Sequence, residues 1–147
     1  MKCHQNNKKQ EEKNFLTHFS HAYPDFPKGR IKDSESPDFI VSLSPKRKLG
    51  IELTRLTKPN QEESELAILK PHLSKEYLIE KIKSKEEKIP LYQKKKLNEL
   101  WLILVADALE KSTSFNINNQ IEAWNIESRF DKVFLFEVIK NKVYEMQ

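Results

Sequence analysis

Phe15, Leu16 and Phe19 fall with Glu12 at i, i+3, i+4 and i+7, so the pattern predicts one face of a helix running from Lys9. A residue that precedes proline avoids helical geometry, which should stop this helix ahead of Tyr23-Pro24. Residues 24–37 hold three prolines and a glycine among polar residues and read as a loop. Asp38–Leu43 is short, apolar and β-branched, hence a strand, and Lys48–Leu56 is a second one. Residues 44–47 are too few for a parallel crossover, so these two strands should form an antiparallel hairpin.

Thr57–Asn60 breaks the pattern, and a helical stripe of Leu66, Leu69, Leu73, Tyr77, Leu78 and Ile82 continues to about Glu87. Pro71 should kink or divide that region, and Pro90 should mark another boundary, with Leu91–Glu99 as a further turn or two of helix. Residues 100–106 are almost uniformly apolar, as a strand covered on both faces must be, which places them mid-sheet. Residues 107–126 read as loop and short helix; Lys132–Val138 is another strand, with Lys142–Glu145 pairing to it across Asn141. This order predicts an α/β fold, a mixed sheet of four to five strands flanked by helices.

Composition narrows the chemistry. A chain of 147 residues with 37% hydrophobic residues suits a single domain, here 9–147 behind a tail of residues 1–8. Two glycines, Gly29 and Gly50, cannot build a glycine-rich phosphate loop. Cys3 is the single cysteine, so no internal disulfide forms, and no Cys/His spacing suits zinc. The polar start has no apolar stretch of a signal peptide, and no window approaches the length of a membrane span; a cytoplasmic protein with no membrane partner is expected. The net charge of +4 includes a dense lysine region between Lys70 and Lys96, with acids around Gln61–Glu65. Such a surface fits a phosphate-bearing partner and equally an ordinary lysine-coated helix.

The candidate chemistry lies in the hairpin. Alternation along a strand puts Glu52 and Thr54 on one face and Ile51 and Leu53 on the other. Glu52 is thus a carboxylate within an apolar strand, where a metal ion or a cation must offset its burial. Removing it should leave the fold intact or more stable. Asp38 opens the neighbouring strand, and antiparallel pairing brings it toward Glu52; two close acids repel, and a divalent cation relieves them. Plainer roles exist: Asp38 as a turn cap, Glu52 as an edge-strand acid paired with Arg55 or Lys48. Trp101 and Trp124 read as core, while His4, His18, His21 and His72 lack ligand spacing; Ser42, Ser44 and Cys3 have no base partner.

Pro37-Asp38, a hairpin, then Glu52-x-Thr54 resembles the motif of the PD-(D/E)xK, or restriction-endonuclease-like, nuclease superfamily. The helix carrying Glu12, the later long helix and the apolar strand after it follow the same order, so the resemblance covers about Lys9–Val138. It implies a restriction-endonuclease-like core and hydrolysis of phosphodiesters with Mg²⁺ or Mn²⁺, endo- or exonucleolytic. Asp38 and Glu52 would hold the metal, with the carbonyl of Leu53 and the carboxylate of Glu12 as further ligands. Thr54 departs from the pattern, because it stands where the family has lysine and cannot carry a positive charge to phosphate. Some members supply that lysine from the next helix. Lys88 and Tyr92, at i and i+4, resemble the Gln-x-x-x-Tyr pattern found there, with Lys81 and Lys83 as rivals. The partner implied is nucleic acid, DNA before RNA, and sequence specificity would need a homodimer or a partner subunit. Two other readings stand beside this one. One is a degenerate member that binds nucleic acid or protein without cutting; the other is an unrelated α/β module whose basic helix binds an acidic partner.

Overall fold

The apolar run near residue 100 becomes the strand on which the rest is built. The computed structural model describes residues 2–56, 75–106 and 125–147. Their elements are α1 (Lys2–Ala22), β1 (Arg30–Asp33), β2 (Phe39–Ser44), β3 (Arg47–Arg55), α2 (Lys75–Glu86), α3 (Ile89–Gln93), β4 (Glu99–Ala106), β5 (Lys132–Glu137) and β6 (Lys142–Glu145). The strands make one six-stranded sheet in the order β1-β2-β3-β4-β5-β6. β1, β2 and β3 meander antiparallel, β3–β4 and β4–β5 run parallel, and β6 returns antiparallel.

Both faces of the sheet are covered. Leu100, Leu102, Leu104 and Ala106 of β4 face Leu78, Ile82, Ile89 and Tyr92 of α2 and α3. Trp101, Ile103 and Val105 take the other face, against Leu16 and Phe19 of α1, with Phe134 and Phe136 of β5. Aromatic rings lock that second layer, Phe19 lying 5.1 Å and Tyr23 4.9 Å from Phe134 between centroids. The same alternation governs β3: Leu49, Ile51 and Leu53 turn to the α1 layer, leaving Gly50, Glu52 and Thr54 on the α2–α3 side. A Cβ on Gly50 would lie 2.8 Å from the Pro37 ring and 2.5 Å from Leu97 Cδ1, so only glycine admits this packing just ahead of Asp38.

The hairpin, the central β4 and the β5–β6 pair agree with the sequence reading, and Asn141 turns that last hairpin with φ of 53°. Elsewhere the structure differs. The sheet has six strands rather than four to five, because β1 occupies part of the expected loop. All four β1 residues are exposed, so the strand carries no alternation; only its pairing to β2, with Ile31 opposite Val41, reveals it. The first helix begins at Lys2, and the residues expected as a tail form its initial turns. Pro90 does mark a helix boundary, opening α3 just after α2 ends, since proline lacks only an N–H that the first turn leaves unpaired. α3 then stops at Gln93 instead of running on to Glu99: Lys96 adopts φ of 56°, which no helix accommodates. The break at Thr57–Asn60, the stripe residues Leu66, Leu69 and Leu73, the kink at Pro71 and most of the 107–126 connection lie outside the described residues. Among the described residues no helix is long and apolar enough to cross a membrane.

Candidate functional site

The β2–β3 register sets Phe39 opposite Ile51, so Asp38, one step before, meets Glu52. The two acids clasp each other through the backbone. The Asp38 amide donates to Glu52 Oε1 at 3.1 Å, and the Leu53 amide donates to Asp38 Oδ2 at 2.9 Å. The other oxygen of Glu52 receives two side chains from the helical layer, Lys85 Nζ at 3.0 Å and the Tyr92 hydroxyl at 2.8 Å. Lys85 comes from the last turn of α2 and Tyr92 from α3. Four segments distant in sequence therefore converge on one carboxylate that is only 4% exposed.

Burial sets the electrostatics. It pushes the carboxyls of Asp38 and Glu52 above their ordinary values, and for Glu52 the charge of Asp38 adds to this while Lys85 opposes it. The Leu53 amide pulls Asp38 down, and the nearby Glu12 carboxyl pushes it up. Tyr92 is driven far above the usual phenol range by burial and by the charge of Glu52, so its hydroxyl remains a proton donor.

A cleft of about 610 Å³ opens beside the pair, between α1 and the far end of β3. Asp38, Leu53, Thr54, Arg55 and Lys85 line it on one side, Lys8, Glu11, Glu12 and Phe15 of α1 on the other. The Arg55 guanidinium bonds Glu11 at 3.0 Å and lies 5.5 Å from the Phe15 ring centroid. Lys9 ties α1 to the entry of β2, donating to the carbonyls of Ser34 at 2.9 Å and Asp38 at 3.2 Å. The Thr54 hydroxyl is buried beside the cleft with no hydrogen-bond partner among the described residues. The cleft thus presents acids and cations together, a mixture suited to a cation and a phosphate side by side.

Among the described residues no group of three or more Asp, Glu, His or Cys side chains is disposed to hold a metal ion. The donors present, Asp38 and Glu52 with Glu12 close to Asp38, are all hard oxygens. One or two carboxylates are what Mg²⁺ commonly takes from a protein, water filling its remaining positions, so this set fits such an ion. Leu53 lines the cleft, and its amide is the group bonded to Asp38.

Of the sequence candidates, Asp38, Glu52 and Tyr92 come together, Glu12 stands near Asp38, and Thr54 lines the same cleft. Lys88 does not join them: it is exposed at the N-cap of α3. Its rivals also point elsewhere, Lys83 being exposed and Lys81 lying 5.5 Å over the Tyr77 ring. The lysine beside the acids is Lys85, a position that the spacing of Lys88 and Tyr92 does not single out. Glu52 lies on an inner strand, not an edge, and its cation is neither Arg55 nor Lys48. It accepts from three donors, each of which its removal would leave without this acceptor. Trp101 is buried in the core, while His18 and His21 are exposed. Trp124, His72 and the side chains of Cys3 and His4 lie outside the described residues. No protein-family model, no curated protein and no solved structure matches this chain.

Proposed function

We propose that the cleft is a phosphodiester hydrolysis centre dependent on Mg²⁺ or Mn²⁺, acting on nucleic acid, with DNA the first substrate to test and RNA the second. One observation carries this reading: a half-buried Asp38 and a buried Glu52 share their site with a lysine, Lys85 Nζ standing 3.0 Å from Glu52 Oε2. Asp38 and Lys85 at the cleft wall, with the buried Glu52 bonded to both, supply the two acids and the lysine of the PD-(D/E)xK motif, the lysine standing on α2 while β3 carries Thr54. Asp38 and Glu52, with Glu12 through water, would hold the cation. When bound, the cation polarises the phosphate and lowers the pKa of its water.

The chain's own groups do the rest. Lys85 balances the charge of Glu52 and, moving toward the cleft it lines, places an ammonium against a phosphate oxygen. Tyr92 keeps its proton and fixes the orientation of the Glu52 carboxylate. Arg55 and Lys8 stand at the cleft wall as positive groups for a flanking phosphate.

A second reading has its own support. Three groups of the chain itself donate to Glu52, and Thr54 lacks the charge of the family lysine, which suits a degenerate site that binds without cutting. Cleavage of plasmid, single-stranded DNA and RNA in Mn²⁺ or Mg²⁺, against EDTA and Glu52→Ala controls, separates them. Metal-dependent cutting lost in Glu52→Ala supports hydrolysis; no cutting at high protein concentration in either metal supports the degenerate site.

A further inference from the structure

Two basic turns, far apart in sequence, meet at the pole of the sheet opposite the carboxylates. The β2–β3 turn brings Lys46, Arg47 and Lys48, and the loop after α3 brings Lys94, Lys95 and Lys96; all six are exposed. The backbone holds the two turns together. Lys48 N–H donates to Asn98 Oδ1 at 2.8 Å, and Asn98 N–H donates to the Lys48 carbonyl at 2.9 Å. Lys96, at φ of 56°, turns the chain sharply between the lysines and β4. Among the described residues only Arg47 of the six has an acidic partner, Glu99 at 3.6 Å. Asp131 is occupied by the Leu100 amide at 2.8 Å. Six clustered cations in a chain whose net charge is +4 make this pole a strong local excess.

We propose that this pole is a second anchoring surface for the phosphate backbone of nucleic acid. The identity of that polyanion rests on the nuclease reading of the cleft. Flexible, hydrated lysines in this number suit a repeating phosphate backbone, which they engage through charge and without base readout. A membrane surface would call for apolar anchors among the cations, and among the described residues only Leu91 stands exposed beside them. Five residue steps along β3, from Lys48 to Leu53, separate the pole from the cleft. At about 3.3 Å per residue the separation is about 17 Å, or roughly half a duplex turn. A duplex of several turns reaches both places; a single mononucleotide reaches one.

The test is fluorescence anisotropy of a labelled duplex about three turns long and of a labelled mononucleotide, in EDTA so that nothing is cut. Wild type is compared with the triple variant Lys94→Gln, Lys95→Gln, Lys96→Gln. A charge-matched control, Lys28→Gln, Lys83→Gln, Lys140→Gln, changes exposed lysines elsewhere. The pole variant is expected to bind the long duplex at least tenfold more weakly and to lower the slope of log Kd against log salt by about two to three. Duplex binding by the control and mononucleotide binding by the pole variant should change little. Equal losses in pole variant and control, or no duplex binding by wild type, overturn the proposal. So does tighter binding to vesicles of equal parts phosphatidylserine and phosphatidylcholine than to the duplex. Hydrolysis of bis(p-nitrophenyl) phosphate in Mn²⁺, a diester too small to touch the pole, reads the cleft separately. Its failure, with pole-dependent binding intact, counts against the cleft alone.

Discussion

Lys85 and Glu52, thirty-three residues apart, meet at 3.0 Å in the layer between α2 and β3, where Glu52 is almost wholly shielded from water. A buried carboxylate so held contributes to stability only while its donors stay in place. Glu52→Ala leaves Lys85, the Tyr92 hydroxyl and the Asp38 amide without their acceptor. The variant is expected to lose about 2–4 kcal/mol in urea unfolding without metal. Equal or greater stability would mean that these bonds hold nothing together.

Tyr92→Phe isolates one of those donors. The ring stays packed against Phe130, at 6.3 Å between centroids, and only the hydroxyl on Glu52 is lost. A loss of about 1–2 kcal/mol is expected, smaller than for Glu52→Ala and not additive with it, because both changes break one shared bond. A double-mutant cycle by chemical denaturation reads the coupling, and strict additivity would separate the two residues.

Lys85 was within reach of the sequence by a signal different from the one that pointed to Lys88. Leu78, Ile82, Ile89 and Tyr92 are all buried, and Lys85 completes their spacing of four, three, four and three. It is the one charged residue on an otherwise apolar stripe, and a lysine there must find an acid or leave the core. Lys88 lies off that stripe and so faces water. The hairpin, the mid-sheet β4 and the Asp38–Glu52 approach follow from alternation and loop length, which are local. β1 and the meeting of Lys46–Lys48 with Lys94–Lys96 depend on pairing between distant segments, and no periodicity encodes that.

Stability should respond to pH through the acid pair. Asp38 and Glu52 hold protons more tightly in the folded chain than at their ordinary values of 3.8 and 4.5. The folded state therefore carries more protons above those values, and their contribution, fully present below them, is lost as pH rises through the raised ones. In EDTA, Asp38→Asn should gain stability relative to wild type as pH rises above 3.8, where the unfolded carboxyl ionises before the folded one. Saturating Mn²⁺ favours the ionised pair and should reverse the trend for wild type. A pH-independent difference between the two proteins would show that the pair is not strained by burial.

Gly50 supports the site from beneath. A Cβ there would meet Leu97, Pro37 and Leu100 at 2.5, 2.8 and 2.9 Å, so Gly50→Ala must displace the segment that carries Asp38. A loss of about 1–3 kcal/mol is expected by thermal unfolding, with weaker Mn²⁺-induced stabilisation than wild type. An unchanged melting temperature would mean that the packing around Pro37 yields freely.

The most direct measurement is single-turnover cleavage of labelled nucleic acid in saturating Mn²⁺ by wild type, Lys85→Ala and Lys88→Ala, with each variant's fold verified by circular dichroism. If Asp38, Glu52 and Lys85 form a hydrolytic centre, Lys85→Ala should slow cleavage by about a hundredfold or more, while Lys88→Ala cuts at the wild-type rate. Equal rates for Lys85→Ala and wild type, or a loss in Lys88→Ala alone, would contradict that centre.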